Sequence, residues 1–150
     1  MNYYFGYGSN MNLQRMKKRV GDFGTPFRGT LYNYCLCFNK VSRRDKRVGF
    51  ANIIPHHGHA VEGIIFKLND AQIRSLDAFE GYPEHYDRVS LNAYAEHGEI
   101  PVVVYIAQPD MIKNDILPTK KYLNYLLDGK EFLSDEYFSM LEQWPTFREE

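Results

Sequence analysis

Apolar and aromatic runs of strand length recur along this chain, while helical periodicity appears only in short stretches between them. Residues 3–7 form an aromatic opening run, broken by Gly8, Ser9 and Asn10. Residues 27–38 mix turn-formers with aromatics and read as one long or bent strand. Residues 50–54 and 60–66 read as strands joined by a turn over 55–59. Residues 89–95 and 101–107 read as two more, separated by a turn at His97 and Gly98. Between these runs, Met11, Leu13, Met16 and Val20 fall near helical spacing among basic residues. Asn69 or Asp70 can cap a helix running to about Phe79, with Ile73, Leu76 and Phe79 on one face and Gly81 as its stop. Helices over 120–127, ended by Gly129, and 134–143, opened by a Ser134 cap, lie in the tail. A strand-rich body with few, interspersed helices fits neither a doubly wound sheet nor a helical bundle. The expected class is α+β, with a curved or closed sheet decorated by helices. With 150 residues and no repeat, low-complexity tract or linker, one domain over 1–150 is expected.

Charge and composition narrow the function classes. The 18 basic and 19 acidic residues leave a net charge of −1, which gives no overall electrostatic reason to expect nucleic acid or an anionic membrane as partner. No stretch approaches the length of a bilayer span, and the opening residues lack a basic region and a long apolar run. A soluble, cytoplasmic protein is expected. Cys35 and Cys37 share a face if their segment is a strand, but two cysteines do not complete a structural zinc site. Two buried thiols in a reducing compartment are the expectation. His56, His57 and His59 lack regular spacing and a nearby acid cluster, so they read as a polar hairpin turn rather than a metal site. The basic run of Arg43, Arg44, Lys46 and Arg47 around Asp45 reads as a solvated loop, with a site for an acidic ligand as the alternative.

Two segments carry chemistry. Gly6, Tyr7, Gly8, Ser9 and Asn10 stand between the opening strand and a helix, where closely spaced glycines permit close backbone approach and several N–H groups can meet one oxygen. The segment lacks the third glycine and acidic partner of a dinucleotide fingerprint. Glu80 falls where an apolar helix face runs out, beside Phe79, Gly81 and Tyr82. A carboxyl losing hydration there would have its pKa raised toward neutrality and could accept and return a proton, the alternative being a glutamate that only faces solvent at the helix end. No Gly-x-Ser-x-Gly elbow or Ser-His-Asp arrangement supports a hydrolase built on Ser9.

Tyr7, Gly8, Ser9 and Asn10, paired with Leu76, Asp77, Glu80 and Gly81 about seventy residues later, resemble the γ-glutamylcyclotransferase family and its AIG2-like branch. The likeness runs through Val61, Glu62 and Gly63 to Leu117, Pro118 and Tyr122. It implies a small mixed β-barrel with flanking helices and an enzyme that cyclises a γ-glutamyl amide, releasing 5-oxoproline and an amine or amino acid. Within it, Glu80 matches the general acid/base, Tyr7 to Asn10 match the loop holding the γ-glutamyl portion, and Tyr86 and Tyr122 match pocket tyrosines. It implies a small-molecule γ-glutamyl substrate and no cofactor or metal. The released partner is left open among amino acids, amines such as an ε-linked lysine, and larger biosynthetic intermediates, and the oligomeric state is left open too, a homodimer included. The stretch from Gly81 to Arg88 is closer to the bacterial and AIG2-like branch than to enzymes acting on dipeptides. A non-catalytic module binding a small acidic or amide metabolite is the alternative. Glu80 argues against it, since a carboxylate-bearing ligand does not call for another carboxylate.

Overall fold

A computed structural model describes residues 1–148. Five strands, β1 (Asn2–Gly6), β2 (Phe27–Val41), β3 (Gly49–Leu68), β4 (Tyr86–Ala95) and β5 (Gly98–Ala107), close into a barrel in the order β1-β3-β2-β4-β5. Neighbours are antiparallel except β1 and β5, whose parallel pairing at Tyr4 and Val103 makes the barrel mixed. Four helices flank it: α1 (Leu13–Val20), α2 (Asp70–Glu80), α3 (Lys120–Leu127) and α4 (Asp135–Glu142). The α+β barrel anticipated from the family likeness is therefore present.

The main departure concerns residues 49–68. The sequence suggests two strands folded back at a histidine turn, whereas the structure forms one strand paired along its length with β2. Tyr32 pairs with Ala60 and Tyr34 with Pro55, so residues 56–59 form an outward bulge rather than a hairpin turn. The Gly58 N–H donates to Asn33 Oδ1 at 3.1 Å, anchoring the bulge across the ladder. The hairpin reversal lies instead between β2 and β3, at the basic run. Hydrophobic alternation marks strands but does not identify partners, and polar turn-formers are compatible with a bulge as well as a turn.

Inside the barrel, Phe5, Leu31, Ile53, Val61, Ile65 and Val104 are at most 1% exposed. Each such side chain contributes roughly 1.5–3 kcal/mol through removal from water. Local chemistry places α2 on this frame. Asn69 Oδ1 accepts from the Gln72 N–H at 2.8 Å and Gln72 Oε1 from the Asn69 N–H at 3.0 Å, a reciprocal cap. Gln72 Nε2 also donates to the Val20 and Asp22 carbonyls, tying the start of α2 to the end of α1. Ile73 and Leu76 are buried, whereas Phe79, expected on the same face, is 55% exposed. Gly81 ends the helix with φ 68° and ψ 36°, a left-handed cap that glycine adopts without strain.

Candidate functional site

The last turn of α2 is held from both sides. Asp77 Oδ1 accepts from the Tyr105 hydroxyl at 2.7 Å, and Asp77 Oδ2 pairs with Arg88. These bonds set the helix end that carries Glu80 against the barrel. The Glu80 side chain is 19% exposed and borders a cleft of about 350 Å³ that also opens onto Ser9, Tyr86 and Tyr122. A smaller recess of about 30 Å³ reaches inward from the same four residues to Tyr7, Gly8 and Asn10. The structure thus gathers every residue singled out for this site from four separate segments.

Burial pushes the Glu80 carboxyl above the ordinary glutamate range, against the opposing pull of Arg19, Arg15 and Lys40. Arg19 Nη1 lies 3.9 Å from Glu80 Oε1 and donates to Asn10 Oδ1 at 3.2 Å. Its guanidinium lies over the Phe79 ring, 4.9 Å from the centroid. Arg15, one helical turn earlier on the same face, donates through Nε to Ser9 Oγ at 3.1 Å.

The loop from Tyr7 to Asn10 is built mainly by its own side chains. Asn10, 2% exposed, donates through Nδ2 to Tyr4 Oη at 3.0 Å, so both ends of its amide are committed to protein. The Tyr7 hydroxyl donates to the Tyr105 carbonyl at 2.5 Å. With these side chains engaged, the backbone of a 3₁₀ turn over Ser9–Met11 is what the loop presents. The first N–H groups of such a turn have no acceptor within it. Gly8 has φ −113°, so its need for glycine is close approach rather than backbone strain. A Cβ there would sit 3.1 Å from Ala51 Cβ and 3.4 Å from Tyr122 Oη.

Tyr86 and Tyr122 grip one peptide segment of β3. The Tyr86 hydroxyl donates to the Ala51 carbonyl at 2.8 Å, and the Ala51 N–H donates to Tyr122 Oη at 3.1 Å. Burial raises the Tyr86 phenol well above its usual range and pushes Tyr122 up to about 12, so both stay neutral near pH 7.

Sequence reasoning reached the cationic side of the cleft only as the alternative of an acidic-ligand site at the basic run, and missed Arg15, Arg19 and Lys40. Arg15, Arg19, Lys40, Arg43 and Arg44 line it. Leu36, Phe38 and Lys40 alternate as buried residues of β2, so a lysine continuing the inward face beyond Phe38 was the available signal. Arg43 and Arg44 belong to the basic run, of which only part behaves as a solvated loop: Arg47 pairs with Asp45 at 2.9 Å, while Arg43 donates to His85 Nε2 at 2.6 Å. Cys35 and Cys37 are free thiols, both half-buried, and lie outside the cleft lining. Among the described residues no group of three or more His, Cys, Asp or Glu could hold a metal ion. No helix among them is long and apolar enough to cross a membrane.

A closed barrel with a desolvated carboxyl at the mouth of a cleft of this size defines a protein built around a small-molecule site. The chain belongs to the γ-glutamyl cyclotransferase, AIG2-like family, whose model matches residues 4–124. It is similar to a solved γ-glutamyl cyclotransferase at 25% identity and a TM-score of 0.87, with 97% of this chain and 89% of that one covered. An uncharacterised protein from Homo sapiens matches with a TM-score of 0.88 and 25% identity over 99% of this chain and 90% of the other. A γ-glutamyl cyclotransferase specific to glutathione, from yeast, shares the fold at a TM-score of 0.70 and 11% identity, over 93% of each chain. No curated protein matches the sequence.

Proposed function

We propose that this protein is a γ-glutamylcyclotransferase in which Glu80 transfers the protons. The observation carrying this reading is the placement of Glu80: the one carboxyl among the described residues that line the cleft, raised in pKa by burial and set beside the Tyr7–Asn10 loop.

The α-amine and the γ-carbonyl of a γ-glutamyl amide already share a molecule, so the protein's main task is to hold the folded geometry. Glu80 as carboxylate takes a proton from the α-ammonium. The freed amine nitrogen bonds to the γ-carbon, and the carbonyl electron pair moves onto oxygen. Backbone N–H groups of the Gly8–Ser9–Asn10 turn stabilise that oxyanion, together with the positive charge lining the cleft. When the carbonyl reforms, the original amide bond breaks as Glu80 gives its proton to the departing nitrogen. The ring nitrogen then passes its second proton through the same carboxylate to the released amine, leaving a lactam N–H and an ammonium. The products are 5-oxoproline and an amine. Tyr86 and Tyr122 act on this chemistry by holding the Ala51 peptide in place beneath the pocket.

The test is release of 5-oxoproline from a panel of γ-glutamyl compounds by wild-type protein and by Glu80→Gln. Wild type should release it, and the variant should turn over about 10²–10⁴-fold more slowly. Near wild-type turnover by Glu80→Gln would overturn the assignment of Glu80. Saturable binding without 5-oxoproline from any compound would make the protein a binding module instead.

A further inference from the structure

The cleft holds more positive charge than a γ-glutamyl group can use. Among the described residues, five cationic side chains line it against the one carboxyl of Glu80. A γ-glutamyl group brings one carboxylate and one ammonium, and so changes that balance by nothing.

The way these cations are held matters more than their number. Among the described residues, Arg19 is the one of the five with a carboxylate partner, at 3.9 Å. Lys40 is 4% exposed, yet its ammonium donates only to the Val41 carbonyl at 3.1 Å and otherwise faces the Phe50 and Tyr86 rings at 5.8 and 5.7 Å. Arg43 is anchored by His85, whose Nε2 accepts from it, which puts the imidazole proton on Nδ1 and leaves the ring neutral. Burial, with the charges of Lys40 and Arg43, favours that neutral form. Arg15 is held by the Ser9 hydroxyl and the Tyr125 ring. The Arg44 side chain has no ion-pair partner among the described residues. Neutral anchors orient these side chains without cancelling their charge. Lys40 is the buried one of the three beside β2, and a buried cation left without a counter-charge carries a cost that a ligand anion relieves. Arg43 and Arg44 are exposed at the cleft rim and free to meet that anion from solvent.

We propose that the leaving amine of the substrate carries anionic groups, recognised by Lys40, Arg43 and Arg44, and that binding tightens as its negative charge increases. This deepens the cyclotransferase reading and rests on it. Lys40 and Arg43 stand at the end of β2 and in the loop after it, while the Tyr7–Asn10 loop follows β1. The two ends of a γ-glutamyl amide thus have separate partners, with Glu80 bordering both the cleft and the inner recess. A carboxylate and a phosphonate share the required chemistry, since both accept charge-assisted hydrogen bonds from ammonium and guanidinium groups.

The experiment compares γ-glutamylglycinamide, γ-glutamylglycine, γ-glutamylaspartate and the γ-glutamyl amide of aminomethylphosphonate. Binding is measured calorimetrically to Glu80→Gln and turnover with wild type. Affinity should rise from the neutral amide to the monoanion by about 10- to 100-fold, the range of one charge-assisted hydrogen bond. It should rise again for the two dianions, and their order separates carboxylate from phosphonate recognition. Added salt should narrow the gaps. Arg44→Gln, an exposed substitution that leaves the core intact, and Arg43→Gln should each narrow the gap in KM between charged and neutral amides. Equal affinities for all four compounds, or a preference for glycinamide, would overturn the proposal even if 5-oxoproline is released. A clear charge ordering without 5-oxoproline would leave anion recognition standing and overturn the enzymatic reading. Failure of all four to bind overturns both.

Discussion

Arg19 Nη1 stands 3.9 Å from Glu80 Oε1, too far for a direct hydrogen bond but close enough for its charge to be felt. Burial therefore wins at Glu80, and Arg19 only moderates the rise of its pKa. Replacing Arg19 by Gln removes the larger of the opposing influences, so the carboxyl should titrate at higher pH still. In the proposed reaction Glu80 works first as a base, so the acidic limb of kcat/KM follows its ionisation in the free enzyme. That limb should move to higher pH in Arg19→Gln, measured from pH–rate profiles of both proteins. An unmoved limb would assign it to another group.

The same shift has a consequence for stability. A carboxyl whose folded pKa lies above its unfolded value holds its proton more tightly in the native state. Stability therefore falls as pH rises from the unfolded value, ordinarily 4.5, through the raised folded value. Glu80→Gln cannot ionise and escapes that loss. Thermal melts from about pH 4 to about pH 8 should give similar midpoints for the two proteins at the acid end, with the variant melting higher above the titration window. A variant that melts lower at neutral pH would show that the ionised form of Glu80 is stabilised in the fold.

At the loop, a Cβ on Gly8 meets Ala51 Cβ at 3.1 Å and Tyr122 Oη at 3.4 Å, so the branched side chain of Gly8→Val must displace one of them. Both belong to the grip on the Ala51 peptide. Turnover should fall about 10²-fold, the scale set by misplacing a reacting geometry by an ångström. His57→Ala, on the exposed bulge of β3, should leave rate and melting temperature unchanged. Measuring kcat, KM and melting for both variants separates lost geometry from lost folding. A dead His57→Ala beside a fully active Gly8→Val would place the site elsewhere.

Local chemistry made much of the chain legible in advance. The caps at Asn69 and Ser134, the stop at Gly81 and the turn at His97 and Gly98 depend on neighbours a few residues away, and they appear where the residue types demand. Tyr7, Gly8, Ser9, Asn10 and Glu80 were visible because two local patterns recur at a set distance. Their placement around a shared cavity follows from the barrel and not from that spacing.

Strand pairing was decided only by tertiary structure. Residues 50–54 and 60–66 have the alternation of two hairpin strands, yet both pair with β2 as parts of one strand, because the barrel needs a partner along that whole edge. The charge of the cleft was equally hidden. Lys40 lies beyond the strand expected over 27–38, Arg43 and Arg44 read first as a solvated loop and only alternatively as an acidic-ligand site, and Arg15 and Arg19 are simply basic residues of a short helix. Closure of the barrel and packing of α1 against α2 turn these separate segments toward one cavity. Sequence set the residue types and their local geometry. The balance of burial against charge at Glu80 was a tertiary outcome, because desolvation and the fields of Arg15, Arg19 and Lys40 act through space.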